Sequence, residues 1–168
     1  MERLVCIEGV GLWTDELDGV PAQTRVREWV QGNRQLAARS VRRYATLDEA
    51  VGRMQQANPN LSAAQARHLT VHGTHQNEDG TYSWKFDNYT HAWGAYGIPR
   101  DQLISLWQSI SAPVLILNAD GGFEHRIGHN GTDAHFRNVR MQTIERAGHW
   151  TYHDQLGQVV EHCRAFLA

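Results

Sequence analysis

Pro113-Val-Leu-Ile-Leu-Asn-Ala-Asp-Gly-Gly122 decides the fold. Its apolar run is continuous, which is how a strand covered on both faces of a parallel sheet reads. A polar, glycine-rich turn ends it at Asn118–Gly122. Downstream, Val139 to Ile144 alternates apolar and polar residues and predicts another strand. A terminal helix follows, with Leu156, Val159, Val160, Cys163, Phe166 and Leu167 at the i, i+3, i+4, i+7 spacing of a helix laid on a sheet. Upstream, Pro99 seats the first turn of a helix carrying Leu103, Leu106, Trp107 and Ile110 on one face. Near the N-terminus, Arg3-Leu-Val-Cys-Ile7 is a second almost unbroken apolar run, predicted to be a strand buried on both faces. Strands interleaved with helices imply parallel pairing and the α/β class.

Between the first strand and Pro99 the chain is helical and irregular, and residues 12–98 behave as an insertion within one domain spanning 1–168. A helix is predicted from Pro21, with Val26, Trp29, Val30, Leu36 and Ala37 near one face and arginines opposite. Thr46-Leu-Asp-Glu49 and Ser62-Ala-Ala-Gln65 are capping boxes that open two more helices, running to about Gln56 and His72. Asn77–Gly80 is a turn, and the alternating Tyr82, Trp84 and Phe86 give a short extended segment.

The 168 residues allow one sizeable core and no second ordinary domain. Sixteen Lys+Arg against 18 Asp+Glu leave a formal charge of −2, so no overall basic field draws nucleic acid or anionic lipid. No apolar run approaches the roughly 20 residues of a membrane span. Two cysteines, Cys6 and Cys163, make no disulfide scaffold and suit a reducing cytoplasm. The chain enters a strand-like run at once, so no targeting segment is expected.

Ligands of open parallel sheets gather at the carboxyl ends of strands. There the first strand ends in Glu8, the second in Asp120, and the third is followed by Gly148-His149. A carboxylate beside a histidine fixes the imidazole tautomer and stabilises the imidazolium formed when the ring takes a proton. Gly148 would let the backbone turn sharply enough to present that ring. Taken singly, each of these three residues reads as well as a loop or cap residue; their joint spacing is what singles them out. His68 and His72 share a helix face, with His75 beyond and His125, His129 and His135 in one loop. Neither a Glu in an HExxH arrangement nor a nearby cysteine completes a zinc set, so no metal is assigned. Trp84, Trp93, Trp107 and Trp150 are candidates for an apolar pocket wall, the hydrophobic core being the plainer place for each.

From Arg3 to Ala168 the chain resembles the C-terminal half of an α/β-fold hydrolase, in the branch of serine-hydrolase-like proteins, epoxide hydrolases and haloalkane dehalogenases. Arg3-Leu-Val-Cys-Ile-Glu-Gly9 resembles the sixth strand of that family, Ser111-Ala-Pro-Val-Leu-Ile-Leu-Asn118 the seventh, and Glu145-Arg-Ala-Gly-His-Trp150 the eighth running into the catalytic histidine. The helical insertion resembles the cap or lid. The resemblance implies ester- or epoxide-type hydrolysis through a nucleophile, His149 and an acid, on a small apolar substrate and without a cofactor.

Two departures stand out. The family's usual acid position after the seventh strand is held by Gly121, with Asp120 one place early, whereas Glu8 stands where some members carry the acid after the sixth strand. Glu8 is therefore the first choice as partner of His149 and Asp120 the second. No Gly-x-Ser-x-Gly occurs anywhere in the chain, and no strand before Leu4 could present a nucleophile. The expectation is a chain that holds the base and acid but lacks the attacking group and the oxyanion hole, and so is inactive alone. The alternatives are a non-catalytic binding remnant that uses the lid pocket for an apolar ligand and, less favoured, a histidine-rich metal-binding protein. Its first strand would keep an open edge for a complementing N-terminal half or a second copy of the chain.

Overall fold

In the computed structural model, residues 2–9, 19–92, 94–123, 126–129 and 131–168 are described here, without the side chains of residues 88 and 91. The chain divides into two compact units, Met1–Glu16 with Gly97–Ala168, and Leu17–Tyr96.

The first unit holds a three-stranded parallel sheet in the order β1 (Leu4–Ile7), β4 (Val114–Ala119), β5 (Val139–Ile144). Leu4 pairs with Val114 and Val114 with Val139, so the three carboxyl ends lie side by side. All six β4 residues are buried, as its unbroken apolar run requires of a central strand. Helix α6 (Leu156–Leu167) sets Val159, Cys163 and Phe166 against a core of Leu115, Leu117, Ala119, Ile144, Val5 and Ile7. Helix α4 (Arg100–Ser109) buries Leu103 and Trp107. Two expected core faces are narrower than the sequence implied. Leu156 and Leu167 at the ends of α6, and Leu106 on α4, are exposed.

Strand β1 departs from expectation in a more informative way. Its apolar run predicts burial on both faces, yet all four residues are only half-buried. β4 pairs along one side of β1, and no strand among the described residues pairs along the other. An apolar strand without a second neighbour keeps solvent contact that its composition does not match.

The second unit carries α1 (Ala22–Ala37), α2 (Leu47–Ala57) and α3 (Ala63–Gly73). A two-stranded antiparallel ribbon of β2 (Thr74–Gln76) and β3 (Tyr82–Trp84) follows them. At α3 the capping box is complete: the Gln65 N–H donates to Ser62 Oγ, and the Ser62 N–H to the Gln65 side chain. At α2 it is displaced by one residue. Thr46 accepts from the Glu49 N–H, but the Glu49 carboxylate accepts from Ala45 rather than from Thr46. β2 carries too few residues to show a period, so sequence marked only β3 and the turn. No helix among the described residues is long and apolar enough to cross a membrane.

Candidate functional site

The site forms where the tips of β1, β4 and β5 meet. Glu8 directly follows β1 and takes a left-handed backbone, φ 47°, which is uncommon for a residue with a side chain. Its own N–H donates to the Leu117 carbonyl at 2.8 Å, holding the turn against β4. The turn drives the carboxylate inward, and Glu8 is only 3% exposed.

A buried carboxylate needs donors and a balancing charge. Oε1 accepts the Ala119 N–H at 2.5 Å and lies 3.4 Å from Arg126 Nε. Oε2 lies 3.4 Å from His149 Nδ1. The fit depends on Gly122, where a Cβ would collide with both carboxylate oxygens. Glycine stands there because the Glu8 carboxylate occupies the volume a side chain would need.

His149 follows β5 through a turn that sequence assigned to Gly148. The left-handed residue is instead Arg146, φ 56°. Gly148 serves the turn through its N–H, which donates to Asp154 at 2.8 Å and ties it to α5 (Thr151–Asp154). The His149 ring is partly exposed, packs 4.6 Å from Phe123 and stands edge-on to Trp150 at 6.4 Å, centroid to centroid. Nε2 makes no hydrogen bond among the described residues. With Nδ1 turned to Glu8, Nε2 is the nitrogen available to a proton from solvent or substrate.

Asp120, the second choice of acid, is engaged elsewhere. Its carboxylate accepts the N–H groups of Arg146 at 2.7 Å and Ala147 at 3.1 Å. Those backbone hydrogen bonds, Arg146 first, hold its carboxyl below the ordinary aspartate value of 3.8. Asp120 therefore braces the turn that leads to His149, while Glu8 faces the ring. Gly121, at the acid position that the resemblance implies, donates its N–H to the Ala147 carbonyl at 3.0 Å and braces the same turn.

The tryptophans separate in the same way. Trp150 is 46% exposed beside His149. Trp107 is buried against Phe136 and His135, so it belongs to the core rather than to a pocket wall. Trp84 donates its indole N–H to the Tyr44 hydroxyl at 3.2 Å and stacks with Phe86, inside the second unit. Trp93 and His125 lie outside the described residues. No three metal-ligating side chains converge among the described residues, although the His68 and His72 rings lie 4.5 Å apart.

Sequence reasoning missed Arg126, Gly122 and Phe123. The paired glycines 121 and 122 behind a buried strand were a readable sign of close approach. Arg126 carries no local sign, since nothing around it separates it from the other arginines.

No family model matches the chain. No curated protein matches its sequence. Solved structures do match. The hypothetical protein PA1622 from Pseudomonas aeruginosa PAO1 superposes with a TM-score of 0.75 at 21% identity, over 98% of this chain and 57% of that one. The thioesterase domain from the curacin biosynthetic pathway gives 0.72 at 17%, over 97% and 57%. E-2-(acetamidomethylene)succinate hydrolase gives 0.69 at 12%, over 99% and 57%. The chain thus spans little more than half the length of the structures it matches. Its parallel sheet, strand order and closing helix give it a partial α/β-hydrolase fold, the C-terminal half of that architecture.

Proposed function

We propose that the chain carries the acid–base half of a hydrolase site, with His149 as general base and Glu8 as the carboxylate that orients it. The observation that supports this most directly is Glu8 Oε2 at 3.4 Å from His149 Nδ1 across two strand tips, with Nε2 left to the reaction. In the reaction, His149 Nε2 takes the proton of an attacking hydroxyl or water and later returns it to the leaving group. Glu8 stabilises the imidazolium in between. The substrate is a small apolar ester or epoxide, with Phe123 and Trp150 as the aromatic surface nearest the base. The nucleophile and oxyanion donors come from a segment equivalent to the other half of the matched structures. The edge of β1 that no described strand pairs with is where that segment, or a second copy of the chain, adds its strand. Residues 12–98 serve as the lid.

The test is hydrolysis of p-nitrophenyl esters by the chain alone and with an upstream half of the fold supplied in trans. The expected result is no turnover alone and turnover with the complement, lowered by His149→Ala roughly 10²–10⁴-fold. Robust turnover by the chain alone, lost in His149→Ala, would refute the dependence on a second segment. Turnover unaffected by His149→Ala would refute the base.

A further inference from the structure

We infer that Arg126 is a positioning residue for the base: it clamps one oxygen of Glu8 so that the other is presented to His149. The inference rests on the Glu8–His149 reading above and adds to it a residue outside the acid–base pair.

The geometry is asymmetric. Oε1 receives two groups, the Ala119 N–H at 2.5 Å and the Arg126 guanidinium, whose Nε stands at 3.4 Å. Oε2 receives His149 alone among the described residues. The Nε contact is an ion pair without hydrogen-bond geometry, so it supplies charge more than direction. Direction comes from the rest of the guanidinium. Nη2 donates to the Ala119 carbonyl at 2.8 Å, and Nη1 donates to the Phe123 carbonyl. One residue thus touches both partners, since the Ala119 N–H holds Glu8 while the Ala119 carbonyl holds Arg126. A planar fork with fixed donors suits this task, and the flexible point charge of a lysine does not.

Arg126 is 5% exposed and Glu8 3%, so neither reaches substrate. Burying a carboxylate costs free energy unless it is paired and hydrogen-bonded, and the guanidinium supplies the pairing charge. The same residue steadies the ring from a second side. Phe123, whose carbonyl accepts from Nη1, packs its own ring 4.6 Å from His149. Arg126 therefore holds both the carboxylate that faces the imidazole and the backbone of the residue whose ring packs against it.

The readout is spectroscopic and needs no turnover. An imidazole N–H that donates to a carboxylate gives a downfield proton signal that a solvated ring does not show. In the chain labelled with ¹⁵N-histidine, that signal is assigned to His149 by its absence in His149→Gln. Arg126→Gln, with its fold checked by circular dichroism, is expected to lose the signal. Arg126→Lys restores the charge without the two-carbonyl fork and is expected to recover the signal in part. A folded Arg126→Gln chain with an unchanged signal overturns the inference. If Arg126→Gln does not fold, the lysine variant decides: a displaced or broadened signal supports the role, and an unchanged one overturns it. Absence of the signal from the unsubstituted chain overturns the inference together with the Glu8–His149 pairing. A normal signal indifferent to Arg126 overturns the inference alone.

Discussion

Glu8 and Asp120 stand at the tips of neighbouring strands, carry the same charge and have opposite lives. Glu8 turns inward, loses almost all solvent, and depends on an arginine, a backbone N–H and a histidine. Asp120 stays in solvent and accepts two backbone N–H groups from the next turn. The difference originates in the backbone. The left-handed turn at Glu8 sends its side chain to the carboxyl end of β4, into the space left by Gly122. The Asp120 N–H donates to the Ile144 carbonyl at 3.1 Å, extending the β4–β5 ladder by one residue and leaving the side chain outside. Position at a strand tip thus does not identify the carboxylate that faces the histidine. What identifies it is whether the carboxylate is desolvated and aimed.

The contrast breaks most severely at Glu8. Glu8→Gln keeps an acceptor for Ala119 but leaves the Arg126 guanidinium buried beside a neutral amide. Removing one partner of a buried ion pair costs about 3–5 kcal/mol, and urea unfolding should read a loss of that size. Replacing both partners, as in Glu8→Gln with Arg126→Met, should recover much of the stability without restoring the His149 signal. A single variant as stable as the unsubstituted chain would mean that Glu8 and Arg126 are not a buried pair.

Gly122→Ala attacks the same carboxylate through volume instead of charge. The added methyl takes the place of the Glu8 oxygens, so either the loop or the glutamate must move. Overpacking of this kind typically costs 1–3 kcal/mol. The expected outcome is a lower melting temperature together with loss of the Glu8–His149 contact. Gly121→Ala, beside it, adds a methyl 3.0 Å from the Ala147 carbonyl and is expected to disturb the Asp120 turn rather than Glu8.

Much of this was legible in the chain, and the reasons are local. β4, β5 and α6 announce themselves through apolar periodicity, and the Ser62 box through a spacing that fixes two hydrogen bonds at once. Glu8 and His149 could be paired because parallel strands deliver their ends to one place. Arg126 could not be found that way, because its role arises only when the loop after β4 folds back onto the tip of β1. The half-burial of β1 was hidden for a related reason. Its composition records the neighbours an apolar strand is built for, and the described sheet provides one of them. Residue type assigns the turn into His149 to Gly148, but the hydrogen bonds that Arg146 and Ala147 donate to Asp120 hold Arg146 in the left-handed conformation instead.

Asp120→Asn should have the smallest effect, and its signature is a pH dependence. Folding holds this carboxyl below its ordinary 3.8 through the N–H groups of Arg146 and Ala147. A depressed value means that the stabilisation is fully present above 3.8 and is lost as pH falls through the lower folded value. The asparagine keeps one acceptor oxygen and has no charge to lose. Its melting temperature should therefore lie slightly below that of the unsubstituted chain at neutral pH, and the gap should close in acid. Because Asp120 braces the turn without touching the ring, the His149 signal should survive the substitution at neutral pH. Loss of that signal in Asp120→Asn, as complete as in Glu8→Gln, would show that the brace and the partner are one unit. The division between the two carboxylates would then fail.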